Sequence, residues 1–181
     1  YDAVIVRVAP LDADVIEQAD RLQVIAKHGS GLDNVNIAAA SARDIVVCNT
    51  PGANARSVAE HATALLFGLA RRLRTADRHV RDGGWNRSAY TGVELGGRTV
   101  GIYGFGAIGR EMAALCDGIG TDVRVYDPHK SAADFPAFVE RADSLPELFA
   151  ASTAVSIHAP LTDETRHTVG MNELEALGPD G

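Results

Sequence analysis

The chain has 181 residues, 46% hydrophobic and 23% charged, the balance of a soluble globular protein of one domain or one and a half. Its net charge of −7 argues against nucleic acid or an anionic membrane surface as the main partner, while leaving room for a small anionic ligand at a locally positive site. The longest apolar helical stretch, residues 62–70, is far short of the ~20 residues that span a bilayer, and with no signal-peptide pattern in view the cytoplasm is the expected location.

Ala3-Val4-Ile5-Val6-Arg7-Val8 is a nearly continuous apolar run, the mark of a strand buried in a parallel sheet, and Pro10 ends it. Residues 14–19 fit a helix. Leu22-Gln23-Val24-Ile25-Ala26 is a second buried strand, followed by the glycine-rich loop Lys27-His28-Gly29-Ser30-Gly31-Leu32-Asp33-Asn34-Val35. That loop lies on the carboxyl side of its strand, where ligands collect in open α/β sheets. Residues 37–42 form a short Ala-rich helix, and Ile45-Val46-Val47-Cys48 is a third strand. Three strands alternating with helices imply a small parallel α/β unit.

Asn49-Thr50-Pro51-Gly52-Ala53-Asn54 reads as a linker. Ser57 and Glu60 have the spacing of a capping box. Apolar residues at 58, 62, 65, 66, 69 and 73 then recur at helical spacing, so a linking helix is expected over about 57–74. Its arginines 71, 72 and 74 read as a solvated helix end. A second polar helix runs to about Arg81, and Trp85 beyond it reads as an interface or packing anchor. The division expected is residues 1–53 and 54–181.

Thr99-Val100-Gly101-Ile102-Tyr103 is a strand, and Gly104, Gly106 and Gly109 after it have the G-x-G-x-x-G spacing. The first glycine permits a tight turn, the second a close approach to a pyrophosphate, the third close helix–strand packing. A helix then runs to about Cys116. The next strand ends in Asp127, 18 residues after Gly109, near the offset of about 20 residues expected of a ribose-binding carboxylate. A carboxylate there favours NAD over NADP by repelling the extra phosphate. Residues 131–142 show little regularity. Ser144 and Glu147 open another helix with a capping-box pattern, and Ala154-Val155-Ser156-Ile157-His158 is a strand leading into the loop from Ala159 to Thr165. The sum is an α/β fold with a doubly wound parallel sheet that binds a dinucleotide. Cys48 and Cys116 sit in apolar runs without metal-ligand spacing and read as buried free thiols of a reducing compartment; no metal site is expected. Tyr1 begins inside a strand-like run and Gly178-Pro179-Asp180-Gly181 is a turn signal, so both ends read as cut.

Four stretches together resemble the NAD-dependent D-isomer-specific 2-hydroxyacid dehydrogenases, in particular their phosphoglycerate dehydrogenase and hydroxypyruvate reductase branch. They are His28 to Val35, Asn49 to Asn54 with Ser57-Val58-Ala59-Glu60-His61, Gly104 to Gly109 with Asp127, and His158 to Arg166. The resemblance implies part of a flavodoxin-like substrate domain joined to a Rossmann-like NAD-binding domain, usually in a homodimer. It implies hydride transfer between nicotinamide C4 and C2 of a small 2-hydroxy or 2-keto acid of the hydroxypyruvate, glyoxylate or 3-phosphoglycerate type.

On the same ground the N–H groups of Ser30 and Gly31 would hold the substrate carboxylate, with Ser30 also near the nicotinamide. Lys27 would sit where the branch often has an arginine for an anionic substrate. Gly104, Gly106, Ala107, Ile108 and Gly109 would cradle the pyrophosphate, Asp127 the adenosine ribose, and the loop of His158, Ala159, Pro160 and Thr165 would run along the cofactor. The family's catalytic Arg, Glu and His fall after the point matching Gly181, so none is expected within this chain. A second reading keeps the scaffold without catalysis, as an NAD-sensing dimerisation protein of corepressor type.

Overall fold

The computed structural model describes residues 1–178, which divide into two compact units, Tyr1–Asn54 and the residues from Ala55 onward. The first unit contains β1 (Ala3–Val6), α1 (Ala13–Glu17), β2 (Val24–Lys27), α2 (Ile37–Ala42) and β3 (Val46–Cys48), with the strands parallel in the order β1-β2-β3. Side chains alternate across the sheet. Val4, Val6, Ile25 and Val47 therefore join Ile16, Val35, Ala40 and Ile45 in one core. The register places Ile5, Ala26 and Cys48 in a row on the opposite face, where Ile5 is 80% exposed. Cys48 is consequently exposed, not buried as its apolar neighbours had implied. Asn36 fixes the start of α2 by accepting the Ala39 N–H at 2.9 Å.

The second unit contains α3 (Ala55–Ala70), α4 (Leu73–Arg81), β4 (Thr99–Tyr103), α5 (Ala107–Gly118), β5 (Asp122–Tyr126), β6 (Val139–Arg141), α6 (Leu145–Ala150), β7 (Ala154–Ile157) and α7 (Met171–Leu177). Its strands are all parallel, in the order β6-β5-β4-β7. On one face, Ala59 of α3 and Met112, Ala113 and Cys116 of α5 pack on Val100, Ile102, Phe105, Val123 and Val125. On the other, Leu148 and Phe149 of α6 pack with Tyr103, and Ala176 and Leu177 of α7 close over them. Helices on both faces, with the strand order reversing at β4, make the doubly wound sheet expected from the sequence. Fully buried side chains such as Ile102, Phe105, Met112 and Leu148 each contribute about 1.5–3 kcal/mol.

Several elements differ from expectation. The helix expected over 57–74 starts at Ala55 and ends at Ala70, so Ser57 lies inside its first turn instead of capping it. Glu60 pairs with Arg56 at 2.8 Å. Arg72 takes a left-handed conformation, φ 52°, which stops α3 and lets α4 begin in a new direction. The stretch over 131–142 holds β6, a short edge strand paired with β5. Helix α7 is a further addition; Glu173 accepts the Gly170 N–H at 2.8 Å at its start. Ser144 caps α6 as expected, accepting the Glu147 N–H at 3.3 Å. The returning bond from Glu147 goes one residue further back, to the Asp143 N–H at 2.8 Å.

Candidate functional site

The three motif glycines have three different surroundings. Gly104 has φ 94°, and a Cβ there would lie 2.6 Å from the Ala159 nitrogen. The loops leaving β4 and β7 thus touch at the point where the strand order reverses. A Cβ on Gly109 would lie 2.1 Å from the Gly104 carbonyl oxygen, so helix α5 packs against the loop at van der Waals limit. Gly106 is the opposite case: nothing lies within 4 Å of where its Cβ would be. It is the N-cap of α5, with no side-chain cap. The first-turn N–H groups of a helix have no intrahelical acceptor, and here Gly106 and Ala107 at that end are exposed. An anion fits such a place.

Phe105, between the first two glycines, is held at three points. Its N–H donates to Asp127 Oδ2 at 2.7 Å and its carbonyl accepts from Arg110 Nη1 at 3.1 Å. Its ring is buried in the core, with its centroid 4.9 Å from that of Phe135. The second oxygen of Asp127, Oδ1, accepts the His129 N–H at 2.9 Å. Each carboxylate oxygen retains a further lone pair, which matches the two hydroxyls of a ribose. His129, which follows closely with Lys130, has its Nε2 3.8 Å from Glu164 Oε2 on the loop after β7.

That loop is anchored by main chain and side chain. The His158 N–H donates to the Tyr103 carbonyl at 2.7 Å, and its Nε2 shares a hydrogen bond of 2.8 Å with Ser156 Oγ. Burial lowers the pKa of His158 below the ordinary imidazole value, so the ring is neutral at neutral pH. Thr165 accepts the Thr162 N–H at 2.8 Å and donates to the Pro160 carbonyl at 2.5 Å, closing the loop on itself. The structure therefore brings Gly104, Gly106, Ala107, Ile108, Gly109, Asp127, His158 and Ala159 together at the carboxyl ends of β4, β5 and β7, with Pro160 and Thr165 shaping the loop beside them.

The remaining expected residues lie in the first unit. Gly29 and Ser30 are fastened to the segment after β3: the Gly29 N–H donates to Thr50 Oγ1 at 3.1 Å, and Asn49 Nδ2 donates to the Ser30 carbonyl at 2.7 Å. Ser30 Oγ lies 3.3 Å from Asn54 Oδ1. The N–H groups of Ser30 and Gly31 have no acceptor among the described residues. Lys27 Nζ donates to the Arg7 carbonyl and, at 2.5 Å, to Asn34 Oδ1, so its ammonium holds together the loops after β1 and β2. Sequence reasoning missed Phe105 and Arg110, because the motif treats one as a variable position and ends before the other. Among the described residues, no group of three or more His, Cys, Asp or Glu could hold a metal ion, and no helix is long and apolar enough to cross a membrane.

Residues 63–181 match the family model for the D-isomer specific 2-hydroxyacid dehydrogenase, NAD binding domain. The chain is 39% identical to a D-3-phosphoglycerate dehydrogenase of Archaeoglobus fulgidus, over 98% of this chain and 34% of that protein. It is 41% identical to a hydroxypyruvate reductase of Thermotoga maritima, over 97% of this chain and 57% of that protein. Among solved structures, an NAD-dependent formate dehydrogenase from Staphylococcus aureus in complex with NAD matches with a TM-score of 0.89 and 34% identity, over 97% of this chain and 54% of that one. The chain thus spans from a third to somewhat over half the length of these relatives. The glycine loop, its aspartate and the doubly wound sheet, set beside these matches, make the chain a member of the D-isomer specific 2-hydroxyacid dehydrogenase family.

Proposed function

We propose that this chain serves an NAD-dependent oxidoreductase acting on a small D-2-hydroxy or 2-keto acid of the hydroxypyruvate, glyoxylate or 3-phosphoglycerate type. The observation that carries the reading is the open space at Gly106, flanked by two glycines that packing requires and by a carboxylate fixed at the end of β5. Gly106, Ala107 and Ile108 would face the pyrophosphate, Asp127 would accept from the ribose hydroxyls, and His158, Ala159 and Pro160 would border the nicotinamide side. Bound NADH would supply the hydride. Ser30 and Gly31 would hold the substrate carboxylate through their free N–H groups, with Lys27 supporting the loop that carries them. Proton transfer is assigned to none of the described residues; His158 is neutral and tied to Ser156.

A homodimer is part of the reading. Residues 71–98 carry seven arginines against three carboxylates, in a chain whose net charge is −7. Leu69 is 80% exposed and Trp85 74% exposed beside them. Large apolar side chains left this exposed suit burial against a second copy of the chain. The two free thiols fit a reducing compartment such as the cytoplasm.

The test is NADH binding by fluorescence, followed by NADH consumption with hydroxypyruvate, glyoxylate and 3-phosphohydroxypyruvate in the protein that carries this chain. Binding with turnover of at least one acid is expected. Failure to bind NADH overturns the cofactor reading, and binding without turnover of any of the three overturns the substrate class.

A further inference from the structure

We propose that Arg110 is a ligand of the dinucleotide pyrophosphate and supplies its counter-charge. The inference rests on the NAD reading above and adds to it a side chain that the glycine motif does not include.

Arg110 occupies the first turn of α5, where side chains lean back towards the helix N-terminus. Its Nη1 reaches the Phe105 carbonyl at 3.1 Å, which places the guanidinium beside the same N-terminus that opens at Gly106. A cation there stands at the positive end of the helix macrodipole and is disfavoured by it. No ion pair involves Arg110 among the described residues: the nearby carboxylate, Asp127, is bonded instead to the Phe105 and His129 N–H groups. Its neighbour Glu111 is engaged with Arg56, Oε2 to Nη1 at 3.2 Å, and Arg56 also holds Glu60. The arrangement becomes favourable when an anion lies in front of the helix.

The donors other than Nη1 are the ones left for that anion. A guanidinium offers a planar fork that matches phosphate oxygens. One group would then do two things: Nη1 sets the carbonyl of Phe105, and the rest of the fork binds the phosphate that the loop is shaped to receive.

The experiment is titration of the full chain with NADH, at low ionic strength and at about 1 M salt, for the unaltered protein, Arg110→Gln and Arg110→Lys, with thermal unfolding measured alongside. Loss of one charge-assisted contact should weaken NADH binding by about tenfold or more in Arg110→Gln at low salt. Arg110→Lys should recover part of this, since a point charge remains without the fork. The deficit should shrink at high salt, where screening removes the advantage of the charge. Binding of adenosine, which has no phosphate, should be unchanged.

Equal NADH affinity in Arg110→Gln and the unaltered protein overturns the proposal. So does a deficit that is independent of salt and extends to adenosine, because that outcome assigns Arg110 only the task of holding the loop. If Arg110→Gln does not fold, Arg110→Lys decides by the same salt comparison. Absence of NADH binding in the unaltered protein overturns the cofactor reading, and this proposal with it.

Discussion

Gly106 and Gly109 look equivalent in the motif and have opposite physical roles. Gly109 is required by the fold: an alanine there would drive its Cβ to 2.1 Å from the Gly104 carbonyl oxygen, at a cost of about 2–3 kcal/mol. Gly106 has ordinary backbone, φ −76°, and empty space around its Cβ position, so Gly106→Ala should alter stability by no more than about 0.5 kcal/mol. The same methyl group would occupy the space meant for the pyrophosphate and lower NADH affinity by an order of magnitude or more. Chemical denaturation and NADH titration of the two variants should therefore separate cleanly, Gly109→Ala failing mainly in the first and Gly106→Ala mainly in the second. The spacing of the glycines and the place of Asp127 were legible in the sequence, because backbone approach and strand ends leave marks at fixed offsets. The use of Lys27 as a tie between two loops was not. It depends on the Arg7 carbonyl and Asn34, which come from different loops.

Strands and helices were legible where apolar periodicity is strong, as in β1, β4, β5 and α5. They were hidden where it is interrupted or where nothing interrupts it. β6 is three residues long with two of them charged, Glu140 and Arg141, a composition that an edge strand tolerates because β5 is its sole partner among the described residues. The end of α3 was misplaced for the converse reason. Apolar spacing continues through Leu73, with no glycine or proline to mark the break that Arg72 makes in the left-handed region. Left-handed backbone costs a residue with a Cβ roughly 1–2 kcal/mol. Arg72→Gly should accordingly raise stability by about 0.5–1 kcal/mol, net of the greater freedom glycine has when unfolded, read as an upward shift of the denaturation midpoint. A drop in the midpoint would mean that the side chain at this corner contributes more than its backbone strain removes; Arg72 does reach the Ala89 carbonyl at 3.4 Å.

For the whole molecule, the order of motifs along the chain was the legible feature, and it extends over both units. No single motif carries that much information. The charge distribution is less visible in a summed value: a net charge of −7 conceals an arginine-rich segment in residues 71–98. If that segment and its exposed Leu73 and Trp85 meet a second copy, the combination Leu73→Ser with Trp85→Ser should convert dimers to monomers in sedimentation experiments. Trp85 also stacks under Arg87, whose Cζ is 5.3 Å from the ring centroid, so Arg87→Gln should weaken the dimer by a smaller step. A protein that sediments as a monomer before any substitution ends the dimer reading.

The triple restraint on Phe105 has a consequence for timing. A loop pinned by its ring, its N–H and its carbonyl keeps one backbone shape whether or not anything lies against it. The entropy of ordering it is lost once, as the chain folds, and is not lost again at each encounter. Arrival and departure of a ligand at α5 then need no opening or closing of this loop, and the pace of exchange there is left to diffusion and to the strength of the contacts themselves.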